Sequence, residues 1–361
     1  MARYLGDVAD GRENNFTFVR LVCACLVIYG HSYAVTKAGG GDLVAQLTGY
    51  AFAGGVAVDI FFLISGFLVT ASLTKGGLLH YAVSRGLRIY PALFVNMVIA
   101  VFVLGTAATT LPTTEYLRSN EVWAYFLGLS STLNGAFFLP GVFADHKNAA
   151  VNGSIWSVLI EVRLYIVLAI IYAFGFLKSP ARFNVLFFSM VIFFWMNPDW
   201  LPEFARGSTN SHVCFLFFVG TFLYINRLEI PISAFSLLIA LLLCGMTLGT
   251  QKFSFAYMFF LITIFLSICF GTHFKWFDRL GDFSYGVYLY GWPTQQFVLM
   301  VNPDASALTN TFFSILICLM LGFLSWHFVE NPFLRRKSRL VFSIKSELRS
   351  LKNKAGFRQT V

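Results

Sequence analysis

Long apolar runs alternate with short polar stretches along almost the whole chain. Most of the runs are about 17–25 residues long, which is the length of helix needed to cross the hydrocarbon core of a bilayer. The pattern therefore predicts ten membrane-spanning helices. The predicted spans are 16–35, 51–73, 89–110, 155–177, 183–198, 212–226, 232–249, 254–272, 283–301 and 308–330.

One further apolar stretch, VWAYFLGLSSTLNGAFFLP at 122–140, is interpreted as a half-buried or re-entrant segment. With ten spans and a cytoplasmic N-terminus, twenty of the 26 Lys and Arg residues fall on the cytoplasmic side and five on the outer side. That distribution follows the rule that cytoplasmic loops carry the excess of basic residues. An eleventh span would reverse the orientation of everything after it, so the stretch is predicted not to cross the membrane.

The composition agrees with an all-α integral membrane protein whose N- and C-termini are both cytoplasmic. The chain is 57% hydrophobic and 12% charged, whereas soluble domains are about 25% charged. Residues 1–334 are predicted to form one transmembrane domain, and residues 335–361 a basic cytoplasmic tail that faces anionic lipid. The six cysteines all lie in apolar runs and are interpreted as packing residues. Cys/His metal-ligand spacing is missing from the sequence, so no metal site is predicted.

Four ionisable residues interrupt the apolar runs: His31, Asp59, Glu161 and Arg163. A charged group near the centre of a bilayer costs at least about 2.5–3.5 kcal/mol, which makes such residues functional candidates. His31, Asp59 and Glu161 are each about fifteen residues from the predicted cytoplasmic end of their span, or roughly 22–24 Å. We therefore predict one polar site that contains all three. The alternatives are that Glu161 and Arg163 neutralise each other and that Asp59 caps a neighbouring helix.

Arg20 and His31 lie on one face of the first span, because eleven residues make almost three full turns of an α-helix. Their separation along the helix axis is about 16 Å. An elongated ligand with an anionic head and a reactive tip, such as a coenzyme A thioester, suits this arrangement. Arg85 and Arg88 in SRGLRIYPA are one turn apart and suit bidentate binding of phosphate. Alternatively, the three arginines only orient the protein in the membrane.

Six motifs in order resemble acyltransferase family 3, a family of bacterial membrane proteins. They are Arg-x10-His in the first span, VDIFFLISGFLVTASL, RGLRIYPA, NGSIWSVLIEVRLY, FSYGVYLYGWP and HFVENPF, and the resemblance covers residues 14–334. It implies an enzyme of the bacterial inner membrane that transfers an acyl group, commonly acetyl, from acyl-CoA. The acceptor is usually a carbohydrate hydroxyl on surface polysaccharide, lipopolysaccharide or Nod factor, and in some members a macrolide.

The resemblance also implies roles for individual residues. It gives His31 the catalytic role and places Arg20, Arg85 and Arg88 at the functional arginine positions. We predict that these three arginines bind acyl-CoA. Trp156, Glu161 and Tyr165 match the block W-S-x3-E-x3-Y, in which we predict that Trp156 and Tyr165 bind substrate, and Glu330 matches the terminal Glu-x-Pro. One departure is that no hydrolase-like soluble domain follows the last span, so acceptor delivery rests on the membrane domain.

For the chemistry, His31 is predicted to act as general base towards the acceptor hydroxyl or as a nucleophile through an acyl-imidazole. Asp59 or Glu161 would orient its other nitrogen. Acyl-CoA is the donor substrate, and no permanently bound cofactor is expected. The predicted partners are acyl-CoA, a carbohydrate or lipid-linked glycan and the bilayer, without nucleic acid. The outer connection at 111–153 would help to hold the glycan, and Ser154 would cap the helix that follows it.

A different class of function fits part of the same pattern. Carboxylates and histidines deep in a membrane also relay protons, so a proton-coupled transporter or flippase of a glycan or small anion is the alternative prediction. Internal repeats are typical of such transporters, and the sequence shows none.

Overall fold

The computed structural model describes residues 3–9, 11, 14–36, 38–131, 135–271 and 273–357. The described chain is almost entirely helical. Its α-helices in chain order are α1 (Gly6–Ala9), α2 (Phe16–Val35), α3 (Leu43–Thr48), α4 (Ala53–Ile99), α5 (Thr106–Ala108), α6 (Thr113–Arg118), α7 (Asn120–Ser131), α8 (Trp156–Ala173), α9 (Pro180–Met196), α10 (Ser208–Ile225), α11 (Ala234–Thr247), α12 (Phe253–Ile264), α13 (Ser284–Val301), α14 (Ala307–Ser325), α15 (Asn331–Arg335) and α16 (Lys337–Phe357).

Shorter elements join these helices. Two strands, β1 (Arg3–Tyr4) and β2 (Pro231–Ile232), pair in antiparallel orientation. π-Helical turns extend α4, α12 and α14 over Ala100–Gly105, Phe265–Cys269 and Trp326–Glu330, and 3-10 turns cover Phe176–Lys178, Pro198–Trp200, Glu203–Ala205 and Lys275–Leu280.

A helix lies at each of the ten predicted spans. Among the residues that the structure describes, five helical segments are long and apolar enough to cross a bilayer: Phe16–Val35, Ala53–Ala108, Trp156–Ala173, Ser208–Ile225 and Ala307–Leu351. Helix α7 has twelve residues and a length of about 18 Å, well below the roughly 30 Å hydrocarbon thickness. Its length agrees with the interpretation that 122–140 does not span; residues 132–134 of that stretch lie outside the described residues.

The second and third predicted spans form one continuous helical element that bends at Gly77. This residue has φ 74° and ψ 173°, a conformation that is open to glycine because it has no Cβ. The predicted cytoplasmic loop between the two spans is therefore a bend, and Arg85 and Arg88 lie on helix just after it. Helical geometry fixes these two side chains one turn apart on one face.

Small residues allow the central helices to approach one another closely. Gly66 of α4 lies against the backbone of Phe217 in α10, and Gly220 of α10 lies against the backbone of Leu63. Gly286 and Gly322 bring α13 and α14 together in the same way. Contacts of this kind are common in membrane proteins, where close packing replaces the hydrophobic effect between helices. Around this core, α2, α4 and α13 pack together and position the residues of the site.

The prediction that the cysteines serve packing rather than disulfide bonds is confirmed, since all six are free and buried or half-buried. The predicted basic tail is helical over most of its length, because α16 covers Lys337–Phe357, and α16 packs against α4.

Candidate active site

Two of the predicted arginines meet at one buried carboxylate. Arg20 on α2 and Arg88 on α4 each place Nη2 2.7 Å from Oδ2 of Asp282, which lies two residues before α13. Nη1 of Arg88 also donates to Oε2 of Glu330 at 3.1 Å, and the Glu330 side chain is fully buried. The cluster therefore joins α2, α4, α13 and the end of α14 through charge-assisted hydrogen bonds.

Asp282 was not a predicted site residue. Burial opposes its ionisation, but the guanidinium groups of Arg20 and Arg88 outweigh burial and hold the pKa of this carboxyl below its usual range. It is therefore a carboxylate at neutral pH, and it fixes the two arginines in place. The only sequence signal was its position directly before FSYGVYLYGWP, inside a polar linker that also carries Asp278.

One cavity contains the three predicted donor-binding arginines together with Glu161 and Tyr165. The guanidinium of Arg85 lies 5.9 Å from the centre of the Tyr165 ring. The Nε groups of Arg20 and Arg85 are buried and have no hydrogen-bond partner among the described residues. Buried donors without partners are costly, so the cavity is suited to an anion that accepts from them.

Glu161 faces this cavity and not His31. Its Oε1 accepts hydrogen bonds of 2.6 Å from Ser65 Oγ and from Tyr165 OH, one helical turn along α8. Trp156, the other predicted substrate-binding residue, is not among the residues that line the cavity and packs partly buried against the hydrophobic core.

His31 lies between aromatic rings. Its imidazole is 5.0 Å from the ring of Trp292 on α13 and 6.2 Å from the ring of Phe52. The indole N–H of Trp292 donates to the carbonyl of Ala150 at 2.8 Å, so Trp292 contacts His31 through its ring and not through a hydrogen bond. Over the described chain, His31 has neither Asp59 nor Glu161 as a hydrogen-bond partner.

Asp59 belongs to a separate polar cluster. Its Oδ2 accepts from Tyr257 OH at 2.5 Å and lies 3.1 Å from Nε2 of His212. His212 was treated as an unremarkable boundary residue at the sequence level, and nothing in its local motif pointed to this contact.

The predicted single site for His31, Asp59 and Glu161 is thus wrong, and so is the prediction that Asp59 or Glu161 orients His31. Equal depth along three helices does not fix the direction in which the side chains point. Asp59 shares a face of α4 with Gly66, which packs against α10. Ser65, on the face that carries Phe61, points towards the cavity and Glu161.

The arginine cavity and the His31 contact lie about one helical turn apart along α13. Tyr288 lines the cavity, and Trp292, which contacts His31, follows one turn later. Residues i and i+4 share a helix face and are about 6 Å apart along the axis. The anion-binding cavity and the histidine are therefore neighbouring parts of one region between α2, α4 and α13.

The irregular stretch 135–155 covers this region from the other side. Gln296 on α13 donates to the carbonyls of Asn148 and Ala150, at 2.5 and 2.8 Å, and His146 Nδ1 lies 2.9 Å from Gln296 Oε1. The stretch is thus bonded directly to the helix that carries Trp292.

The predicted N-cap of α8 is wrong. The structure has Ile155 at that position, without a side-chain cap. The hydroxyl of Ser154 donates instead to Asn152 Oδ1 at 2.8 Å, which stabilises the turn before the helix.

Comparison with known proteins decides the family. The family described as the acyltransferase domain, acyltransferase family 3, matches residues 13–328. The chain belongs to this family. The acyltransferase is 27% identical to an O-acetyl transferase of Shigella phage Sf6 over 349 residues, which cover 91% of this chain and 98% of the relative. It is 33% identical to nodulation protein 10 of Rhizobium leguminosarum bv. viciae over 175 residues, 44% of each chain. No solved structure matches it significantly.

The acyltransferase is accordingly a membrane enzyme that transfers acyl groups to oxygen. The resemblance inferred from the motifs is confirmed, and the family favours an enzyme over the transporter alternative. The family match ends at residue 328, two residues before Glu330. The ion pair between Glu330 and Arg88 connects this end of the domain to the cavity.

Replacing Asp59 with asparagine tests the corrected geometry of this acyltransferase. We expect the rate of acyl transfer to stay within about tenfold of the parent rate, because the residue does not contact His31, whereas loss of a general base costs about 10²–10⁴-fold. The measurement is acyl transfer in membranes with matched amounts of inserted protein. A loss as large as that of a His31 variant would place Asp59 in the reaction centre after all.

Proposed function

We propose that this acyltransferase moves an acyl group, acetyl in the simplest case, from acyl-CoA to a hydroxyl of a carbohydrate. The observation that carries the proposal is the cavity in which Arg20, Arg85 and Arg88 gather, one turn of α13 away from the Trp292 ring that contacts His31. The names of the two relatives add support, since one is an O-acetyl transferase and the other a nodulation protein.

The donor would bind with its phosphates at the arginines. Arg20 and Arg88 are already paired with Asp282, whereas Arg85 has no carboxylate partner among the described residues. Arg85 is therefore the guanidinium best able to form a new bidentate contact with phosphate. From there the pantetheine arm would pass Tyr288 and bring the thioester to His31, about 16 Å along α2 from Arg20.

His31 would act as general base in a direct transfer. One imidazole nitrogen takes the proton of the acceptor hydroxyl as its oxygen attacks the thioester carbonyl. The C–S bond then breaks, and the departing thiolate receives the proton from the imidazolium. Acyl-CoA and alcohol are thereby converted to ester and free CoA. Since neither carboxylate supports His31, its orientation would depend on the aromatic contact with Trp292 and on the bound substrates.

The acceptor would approach from the side of residues 135–155. This stretch is bonded to α13 next to Trp292 and carries exposed polar residues, including Asp145 and Lys147. We further propose ten spans in the bacterial inner membrane, with both termini in the cytoplasm. In that orientation the arginines face the cytoplasm, where acyl-CoA is made, and the stretch faces outward, where a glycan is displayed.

Binding of acetyl-CoA to the purified protein tests the donor. We expect Arg85→Gln to weaken binding about tenfold or more, since a hydrogen bond to a charged group contributes about 1.5–3 kcal/mol. The matched control is Arg182→Gln, an exposed arginine on α9 outside the cavity. Titration of each variant with acetyl-CoA gives the dissociation constants. Equal affinities for the two variants would contradict donor binding in this cavity.

A further inference from the structure

A second cavity lies outside the proposed reaction centre, between α8, α9 and α10. Its wall is almost entirely apolar, with Leu164 and Ile171 of α8, Phe187 and Val191 of α9 and Phe218 of α10 among the lining residues. It runs along α9 from Phe183 to Trp195, twelve residues or about 18 Å. We call it the lateral groove. Its length and surface suit one hydrocarbon chain of a lipid.

The polar side chains of the lateral groove are all at one end. Ser208, Ser211 and His212 lie there, at the start of α10. His212 has its Nε2 3.1 Å from the Asp59 carboxylate, which leaves Nδ1 as the ring nitrogen for a ligand. Its side chain is 27% exposed, so it is reachable from the groove.

Two arginines add positive charge at the same end. The guanidinium of Arg163 lies 5.8 Å from the ring of Phe204, which lines the groove. Arg206 Nε donates to the carbonyl of Leu201, another lining residue, at 2.8 Å. The acidic side chains of the neighbouring turns, Asp199 and Glu203, are exposed. Arg163 lies outside the proposed donor cavity.

We infer that the lateral groove binds a phospholipid, with one chain between α8, α9 and α10 and the phosphate at Arg163 and His212. The two parts of the site match the two parts of the ligand. An apolar chain packs against the apolar wall of the groove, and a phosphate oxygen at its polar end accepts from the Arg163 guanidinium and from Nδ1–H of His212 in the imidazolium form. The site accounts for the two intramembrane residues, Asp59 and Arg163, that the acyl-transfer site leaves unused, with Asp59 as the positioning residue for His212. It does not depend on the proposed acyl transfer.

Native mass spectrometry of the full-length protein in detergent tests the site. The probes are phosphatidylglycerol and a diacylglycerol with the same chains. We expect phosphatidylglycerol to bind about tenfold more tightly, because only its phosphate can accept charged hydrogen bonds. Inorganic phosphate should not displace it, since a free anion lacks the chain. Equal binding of the two lipids, or displacement by inorganic phosphate, would overturn the inference.

Variants locate the two halves of the ligand. Arg163→Gln combined with His212→Gln should reduce phosphatidylglycerol binding to the level of diacylglycerol, and Arg163→Lys should retain part of the preference. Val191→Trp should fill the groove and weaken the binding of both lipids. Arg182→Gln, at the opposite end of α9, is the matched control and should change the binding of neither lipid. An equal loss in the control, or full binding by the double variant, would refute the assignment. Variants are compared only if they elute from size-exclusion chromatography like the parent.

Discussion

Replacement of His31 by alanine is expected to lower acyl transfer at least about 100-fold, the smallest effect usual for loss of a general base. The hydroxyl of the acceptor then has no group to take its proton beside the thioester. The readout is mass spectrometry of surface glycans from cells that produce each variant, in which the parent adds a base-labile acyl mass.

Two comparisons separate chemistry from folding in the His31 experiment. The imidazole of His31 makes a ring contact with Trp292 that is worth about 0.5–1.5 kcal/mol, so we expect the variant to insert normally. His31→Gln keeps a polar side chain of similar length and should be equally inactive. His273→Ala, which removes an exposed histidine, should retain full activity. If the acyl mass persists in His31→Ala, the histidine is structural and the proposed mechanism fails.

Replacement of Arg88 by alanine is expected to be the most damaging change to stability. The substitution removes the cation that contacts both Asp282 and Glu330, and Glu330 is fully buried. Breaking a buried ion pair on one side costs about 3–5 kcal/mol, because a charge remains in the interior without its partner. We therefore expect the temperature of half-inactivation in detergent to fall sharply, together with acyl transfer. Arg335 is an exposed arginine nearby, and Arg335→Ala should change neither the temperature of half-inactivation nor acyl transfer.

A double variant separates the two roles of Arg88. In Arg88→Ala with Glu330→Gln, the unpaired buried charge at position 330 is gone, so part of the thermal stability should return. Binding of acetyl-CoA should not return, because the cavity still lacks a guanidinium. The difference between the double variant and the sum of the single variants measures the coupling of the pair. A double variant no more stable than Arg88→Ala would show that the pair does not stabilise the fold.

The apolar pattern predicted the positions of the helices well, because bilayer thickness imposes their length on the sequence. The apolar pattern did not predict that the second and third spans form one bent helical element. The bend depends on the positive φ of Gly77, and a glycine between two apolar runs is equally compatible with a loop. Likewise, the predicted N-cap at Ser154 failed because α8 begins one residue later than expected, with Ile155 at the N-cap position.

At the site, sequence reasoning found the residues that share a helix face and missed those that meet only in three dimensions. Arg85 and Arg88 line one cavity, as their spacing of one turn predicts. The pairing of Arg20 and Arg88 through Asp282, and of Asp59 with His212, depends on helix rotation and on which helices are neighbours. Neither can be deduced from depth in the membrane.

The most direct test of the account is acyl transfer across membranes of known orientation. Sealed vesicles from the native host, inside-out or right-side-out, receive acetyl-CoA labelled in the acetyl group. We expect base-labile label on carbohydrate in inside-out vesicles with the parent protein, and none in right-side-out vesicles or with His31→Ala. Absence of label with the parent in inside-out vesicles, or equal label with His31→Ala, would contradict it.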